Sequence, residues 1–106
     1  MLKKSRRLST KQFDEVMKKG RVVHSSLFLM RFMNDQKDTR ISAVAPVKIF
    51  KKAVLRNATR RKMYIIIESV WPHVKNGIHG AVFPKKDISG IETPDLTRDI
   101  QKLFQG

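Results

Sequence analysis

Phe13, Val16 and Met17 recur at i, i+3 and i+4, the spacing of one face of a helix. Ser9 and Gln12 precede them at capping-box spacing, and Leu8 and Phe13 stand where a hydrophobic staple would close over that cap. Lys18 and Lys19 suit the negative helix end, and Gly20 offers a left-handed stop, so the pattern predicts a helix over 10–19. The rhythm then changes to two. Over 22–33, Phe28, Met30 and Phe32 alternate with Leu27, Leu29 and Met33, Arg31 falling in the second set, which predicts strand. The polar tract 34–39 reads as a hairpin-type connection to a strand over 40–45, closed by Pro46, and these two strands are expected to pair antiparallel.

The stretch 48–64 returns to helical spacing and carries seven lysines and arginines. At about 100° per residue, Lys52, Arg56 and Arg60 fall on one stripe, with Asn57, Arg61 and Tyr64 along its edge. Val54, Leu55, Ala58, Ile65 and Ile66 gather on the other side and are expected to face the core. Helical pattern continues over 65–71 until Pro72 stops it. A third main strand is expected over 78–83, between Gly77 and Pro84. A linker over 84–92 then leads to a last helix, capped by Thr93 with Pro94 in its first turn, burying Leu96, Ile100, Leu103 and Phe104.

This order of elements predicts an α/β fold of the α+β sandwich kind, and 106 residues suffice for one compact domain. Lysine and arginine outnumber aspartate and glutamate by 23 to 9, a formal charge of +14, which points to nucleic acid or an anionic membrane. Between Thr39 and Ile67 there is no acid at all. A merely solvated helix would mix signs to form i,i+4 pairs, so a polyanion best supplies the missing counter-charge. The basic stripe is too broad for a membrane-surface helix, and no apolar run is long enough to span a bilayer. Residues 1–7 are expected to be loose until they meet RNA, or simply a solvated terminus. The start lacks a secretory pattern and cysteine is absent, so a cytoplasmic protein is expected.

Lys52-Ala53-Val54-Leu55-Arg56-Asn57, followed by Arg60-Arg61-Lys62, resembles the signature of the bacterial ribonuclease P protein subunit, the small basic partner of a catalytic RNA. An N-terminal Arg-Leu-x-x-x-x-x-Phe-x-x-Val segment ending in Gly-Arg, the approach to Val44-Ala45-Pro46, and a final strand and helix extend the resemblance over most of the chain. It implies a single domain over 1–106, with a mixed sheet of about four strands packed with three helices. This fold is similar to domain 2 of ribosomal protein S5, with a left-handed βαβ crossover. It also implies that Lys48, Lys52, Arg56, Asn57, Arg60, Arg61 and Lys62 contact the ribonuclease P RNA. The 5′ leader of precursor tRNA would lie in a cleft lined by Phe13, Met17, Phe28 and Arg31, with Arg21 near its mouth. A monomer in a 1:1 complex with the RNA is expected. Ala58, Val47 and Tyr64 depart from the residues frequent in that family.

The residues themselves leave alternatives open. Phe13 fits plain core on an amphipathic helix as well as a groove wall, and Asn57 fits a local bond as well as an RNA contact. Arg31, on a strand among apolar neighbours, needs a partner or an open groove. The nine acids and three histidines show no metal-ligand or general-base spacing. The protein is therefore expected to bind no metal and to cut nothing alone; the resemblance implies that Mg2+ is held mainly by the RNA subunit. A ribosomal or other structural RNA-binding protein would share the charge and helix but lack the cleft, so exposure of the sheet around Phe28 and Arg31 separates the two readings.

Overall fold

The Ser9–Gln12 capping box forms as expected: Gln12 N donates to Ser9 Oγ at 3.2 Å and Ser9 N to Gln12 Oε1 at 2.8 Å, starting α1, Thr10–Lys19. The structure, a computed structural model, describes residues 2–105. Gly20 ends α1 without a left-handed turn, since its backbone is extended (φ −70°, ψ 151°). Glycine is needed there for closeness. A Cβ would lie 2.4 Å from the Val16 carbonyl oxygen and 3.2 Å from the Phe32 backbone.

The apolar run expected as one strand is two, β1 (Arg21–His24) and β2 (Phe28–Met33), folded into a hairpin at Ser25. Ser25 N donates to Phe28 O at 2.9 Å. Asp99 secures the turn from afar, its Oδ2 accepting from Ser25 Oγ at 2.5 Å and from Leu27 N at 2.8 Å. With β3 (Arg40–Ala43) and β4 (His79–Pro84), the sheet has the order β1-β2-β4-β3. The expected pairing of β2 with β3 is therefore corrected, because β4 lies between them, antiparallel to β2 and parallel to β3. A parallel neighbour needs a crossover, and α2 (Ala53–Ser69) supplies it. Gly77, at φ +79°, turns the chain into β4, with its N–H on Thr39 Oγ1 at 2.9 Å.

Helices cover both sheet faces. Val16 of α1, fully buried, seals one face. On the other, Phe28, Met30, Ile41 and Val82 meet Met63, Ile66 and Ile67 of α2 and Leu96, Ile100 and Leu103 of α3 (Thr93–Leu103), all buried in one cluster. Burying each such side chain contributes about 1.5–3 kcal/mol against chain entropy. The cap of α3 is Glu92, without a side-chain bond, so Thr93 occupies its first turn beside Pro94.

The N-terminal segment is not loose over its described part. Leu2 is 1 % exposed in the core, and residues Lys4–Arg6 form a 3-10 turn. Arg6 lies over the Trp71 ring at 4.9 Å and Arg7 over the Tyr64 ring at 4.7 Å, each a cation held on an aromatic face. Leu8 N donates to Ser42 Oγ at 2.9 Å, tying the segment to the edge strand β3. Met1 lies outside the described residues. Among the described residues, no helix is long and apolar enough to cross a membrane.

Candidate RNA interface

The basic helix begins later than its charge pattern suggests. Residues 48–51 belong to the connection before α2, with Ile49 N and Phe50 N donating to Pro46 O at 3.1 and 2.9 Å, while Lys52 is the N-cap and makes no side-chain cap bond. Phe50 is 2 % exposed and anchors this connection in the core. The first turn of α2 holds no acid, and Lys51 and Lys52 stand at its positive end. That placement raises the local potential instead of neutralising it, which favours a polyanion.

The core face of α2 differs from the expected one. Thr59, Met63, Tyr64, Ile66 and Ile67 are buried, whereas Val54 (70 % exposed), Leu55 (43 %) and Ile65 (58 %) face outward with Ala58, and of the expected set only Ile66 is core. The helix thus presents its basic edge beside an outward apolar strip.

Of the expected contacts, Asn57, Arg60 and Arg61 converge with Arg7 and Tyr64 around an open cavity of about 410 Å3. Arg60 Nη2 donates to Asn57 Oδ1, which orients that amide. Arg56 faces a neighbouring depression with Asn57, Arg60 and Val47, and its Nη1 donates to Phe50 O at 2.9 Å and Lys51 O at 3.0 Å, bracing the connection before the helix. Lys48 and Lys52 are exposed without lining either cavity. Lys62 points elsewhere, its Nζ 3.4 Å from Ile91 O on the loop before α3.

A second surface lies on the α1 side of the sheet. Met17, Leu29, Arg31, Pro46, Ile49, Phe83, Pro84 and Lys85 line an open, mainly apolar groove of about 420 Å3. Leu29 and Phe83 are cross-strand partners, and Arg31 lies opposite Ala81, whose small side chain leaves room beside the guanidinium. Arg31 both finds a partner and faces the groove, since its Nη1 donates to Met17 O at 3.3 Å. Met17 and Arg31 are therefore together. Phe28 is fully buried on the opposite face of β2 and is core, not groove wall. Arg21 is also on that opposite face, because Val22 is the residue paired with Arg31, and Phe13 is half-buried on α1 without lining the groove. Leu29, Phe83 and Lys85 escaped sequence reasoning, although Leu29 shares its alternation set with Arg31 and Phe83 follows from the period of two in β4.

Two exposed aspartates are engaged in structural bonds. Asp38 lies 2.7 Å from both His79 Nε2 and Arg40 Nε, and these hydrogen bonds, the His79 bond foremost, hold its carboxyl below the ordinary aspartate range. Asp87 is likewise lowered, by Ser89 N donating to it at 2.9 Å. Among the described residues no three histidine, aspartate or glutamate side chains gather where they could hold a metal ion.

The family model described as Ribonuclease P matches residues 1–106. The chain belongs to the ribonuclease P protein family. Among curated relatives, the ribonuclease P protein component of Symbiobacterium thermophilum is 27 % identical over 107 residues, covering 98 % of this chain and 92 % of that protein. That of Synechocystis is 27 % identical over 94 residues, covering 87 % of this chain and 76 % of the relative. The solved ribonuclease P protein of Thermotoga maritima superposes with a TM-score of 0.80 at 23 % identity, covering 92 % of this chain and 94 % of that one. The Staphylococcus aureus protein gives 0.75 at 20 % identity, covering 94 % and 93 %. At these identities the superpositions establish a shared fold. Membership in the ribonuclease P family makes the chain a protein component of a tRNA-processing ribonucleoprotein.

Proposed function

We propose that this chain binds the ribonuclease P RNA through the basic edge of α2 and holds the 5′ leader of precursor tRNA in the groove between α1 and the sheet. The observation that carries this reading is the separation of two surfaces of different chemistry: a cationic cavity at Asn57, Arg60 and Arg61, and an apolar groove at Met17, Leu29 and Phe83 edged by Arg31 and Lys85. Guanidinium groups on α2 suit phosphates, and each phosphate neutralised steepens the salt dependence of binding. The groove suits unpaired nucleotides, because a ring such as Phe83 stacks on any base while flanking cations follow the backbone.

The hydrolysis itself is assigned to the RNA subunit, with Mg2+ held mainly there. Asp38, Asp87 and Asp99 are occupied in structural bonds, and among the described residues no three histidine, aspartate or glutamate side chains gather where they could hold the metal. The protein contributes leader affinity and screening of repulsion between two RNAs, as a cytoplasmic monomer in a 1:1 complex.

Precursor-tRNA cleavage at low magnesium tests the reading, using the ribonuclease P RNA from the same source with and without the protein, and the protein alone. Stimulation only when both are present is expected. Cleavage by the protein alone, or no gain with its matched RNA, would refute it.

A further inference from the structure

Arg7 lies outside the basic helix, yet its guanidinium helps close the cavity lined by Asn57, Arg60 and Arg61. We propose that these four residues form one binding site for an RNA phosphodiester, with Arg7 the contact that the N-terminal segment contributes. The inference deepens the ribonuclease P reading and rests on it.

Three observations converge. First, three guanidiniums surround the cavity and no acid lines it. Like charges gathered this closely repel until an anion enters, and arginine matches the oxygens of a phosphate with paired N–H groups. Second, Arg7 is held in place before any ligand arrives. Its Nε and Nη2 donate to Leu2 O at 3.0 and 2.7 Å, its side chain stacks on Tyr64, and its own carbonyl accepts from Arg40 Nη1 at 3.2 Å. A side chain fixed on one edge gives up little rotamer freedom when the other edge meets a phosphate. Third, Asn57 turns its oxygen to Arg60, so the amide N–H groups remain to donate. Donors therefore dominate the cavity. Its continuity with the basic edge of α2 makes RNA the source of the anion.

Tyr64 acts here as a platform for a cation from another segment. The arrangement also gives the buried Leu2 a functional role, since the carbonyl that fixes Arg7 belongs to the residue anchoring the terminus in the core.

The test measures affinity of the full chain across a salt series, for the ribonuclease P RNA alone, for a structured control RNA, and for leader-bearing precursor tRNA on the assembled enzyme. Arg7→Ala should weaken binding roughly tenfold and flatten the plot of log affinity against log salt by about 0.7–0.9 of a unit. Arg7→Lys keeps the charge while giving up the paired N–H groups, and should leave that slope close to the wild-type value. Loss with the RNA alone places the phosphate in the RNA subunit; loss confined to the precursor places it in the substrate. Identical slopes for wild type and Arg7→Ala overturn the proposal, as does an equal slope change in Arg7→Lys. If the wild type prefers the ribonuclease P RNA no more than the control, the subunit reading fails, and the Arg7 comparison on the control RNA still decides whether the cavity takes a phosphate.

Discussion

Arg31 Nη1 donates to the Met17 carbonyl at 3.3 Å, joining the middle of β2 to the last turns of α1 across the floor of the groove. The bond satisfies a helix carbonyl near the end of α1 and holds the guanidinium where a nucleic-acid strand would pass. Arg31→Ala should cost about 1 kcal/mol of stability at most, because the groove is open to water. Its larger effect should be on substrate: about a tenfold weaker affinity for precursor tRNA, with mature tRNA little changed. Binding of the two tRNAs to the assembled enzyme checks this, and equal losses for both would remove Arg31 from leader recognition.

Met63 and Ile65 are two residues apart on α2 with opposite environments, the first fully buried and the second 58 % exposed. Met63→Ala should cost about 2–5 kcal/mol through lost burial and the cavity it leaves. Ile65→Ser and Val54→Ser should change stability by about 0.5 kcal/mol or less. Urea unfolding of the three variants measures the contrast. A large loss for Ile65→Ser would mean that the outward strip is packed in solution.

These cases show which parts of the fold were legible in the residues. The capping box at Ser9 and Gln12 and the core stripe of α3 depend on neighbours within a turn or two, so local spacing reveals them. The face of α2 does not follow from apolar residue types, because the first turns of the helix bury no side chain until Thr59, leaving Val54, Leu55 and Ala58 unconstrained by the core. The insertion of β4 between β2 and β3 joins residues some forty positions apart, and no local pattern encodes it. The same holds for the site. The cationic helix is plain from charge spacing, but Arg7 reaches it over the ring of Tyr64 from a distant segment, and Phe28 falls on the core side, which the pattern leaves open because alternation identifies two faces without saying which one is covered by α2 and α3.

Asp99 is 5 % exposed, and its carboxylate accepts from Ser25 Oγ and Leu27 N, fixing α3 to the β1–β2 turn. Asp99→Ala leaves a hydroxyl and a backbone N–H without their acceptor, an effect of about 1–3 kcal/mol. Amide exchange at Leu27 and Phe28 should quicken beyond what the global loss explains, because the opening is local. Uniform acceleration across the sheet would show that Asp99 supports the whole domain instead of this turn.

Asp38 is the group through which acid should act on the 34–39 loop. Its carboxyl is held below its ordinary value of 3.8, first by the hydrogen bond with His79 and then by that with Arg40. A carboxyl whose pKa is lower folded than unfolded adds stability that is fully present above the unfolded value and disappears as pH falls through the folded one. Thermal unfolding of wild type and Asp38→Asn should therefore differ at about pH 5, and the interval should close as pH drops below about 4. Because the Asp38 side chain is 46 % exposed, added salt should narrow the interval at neutral pH as well. An interval that widens as the pH falls from about 5 through about 4 would mean that the aspartate is a burden to the folded state, contrary to the geometry of its two partners.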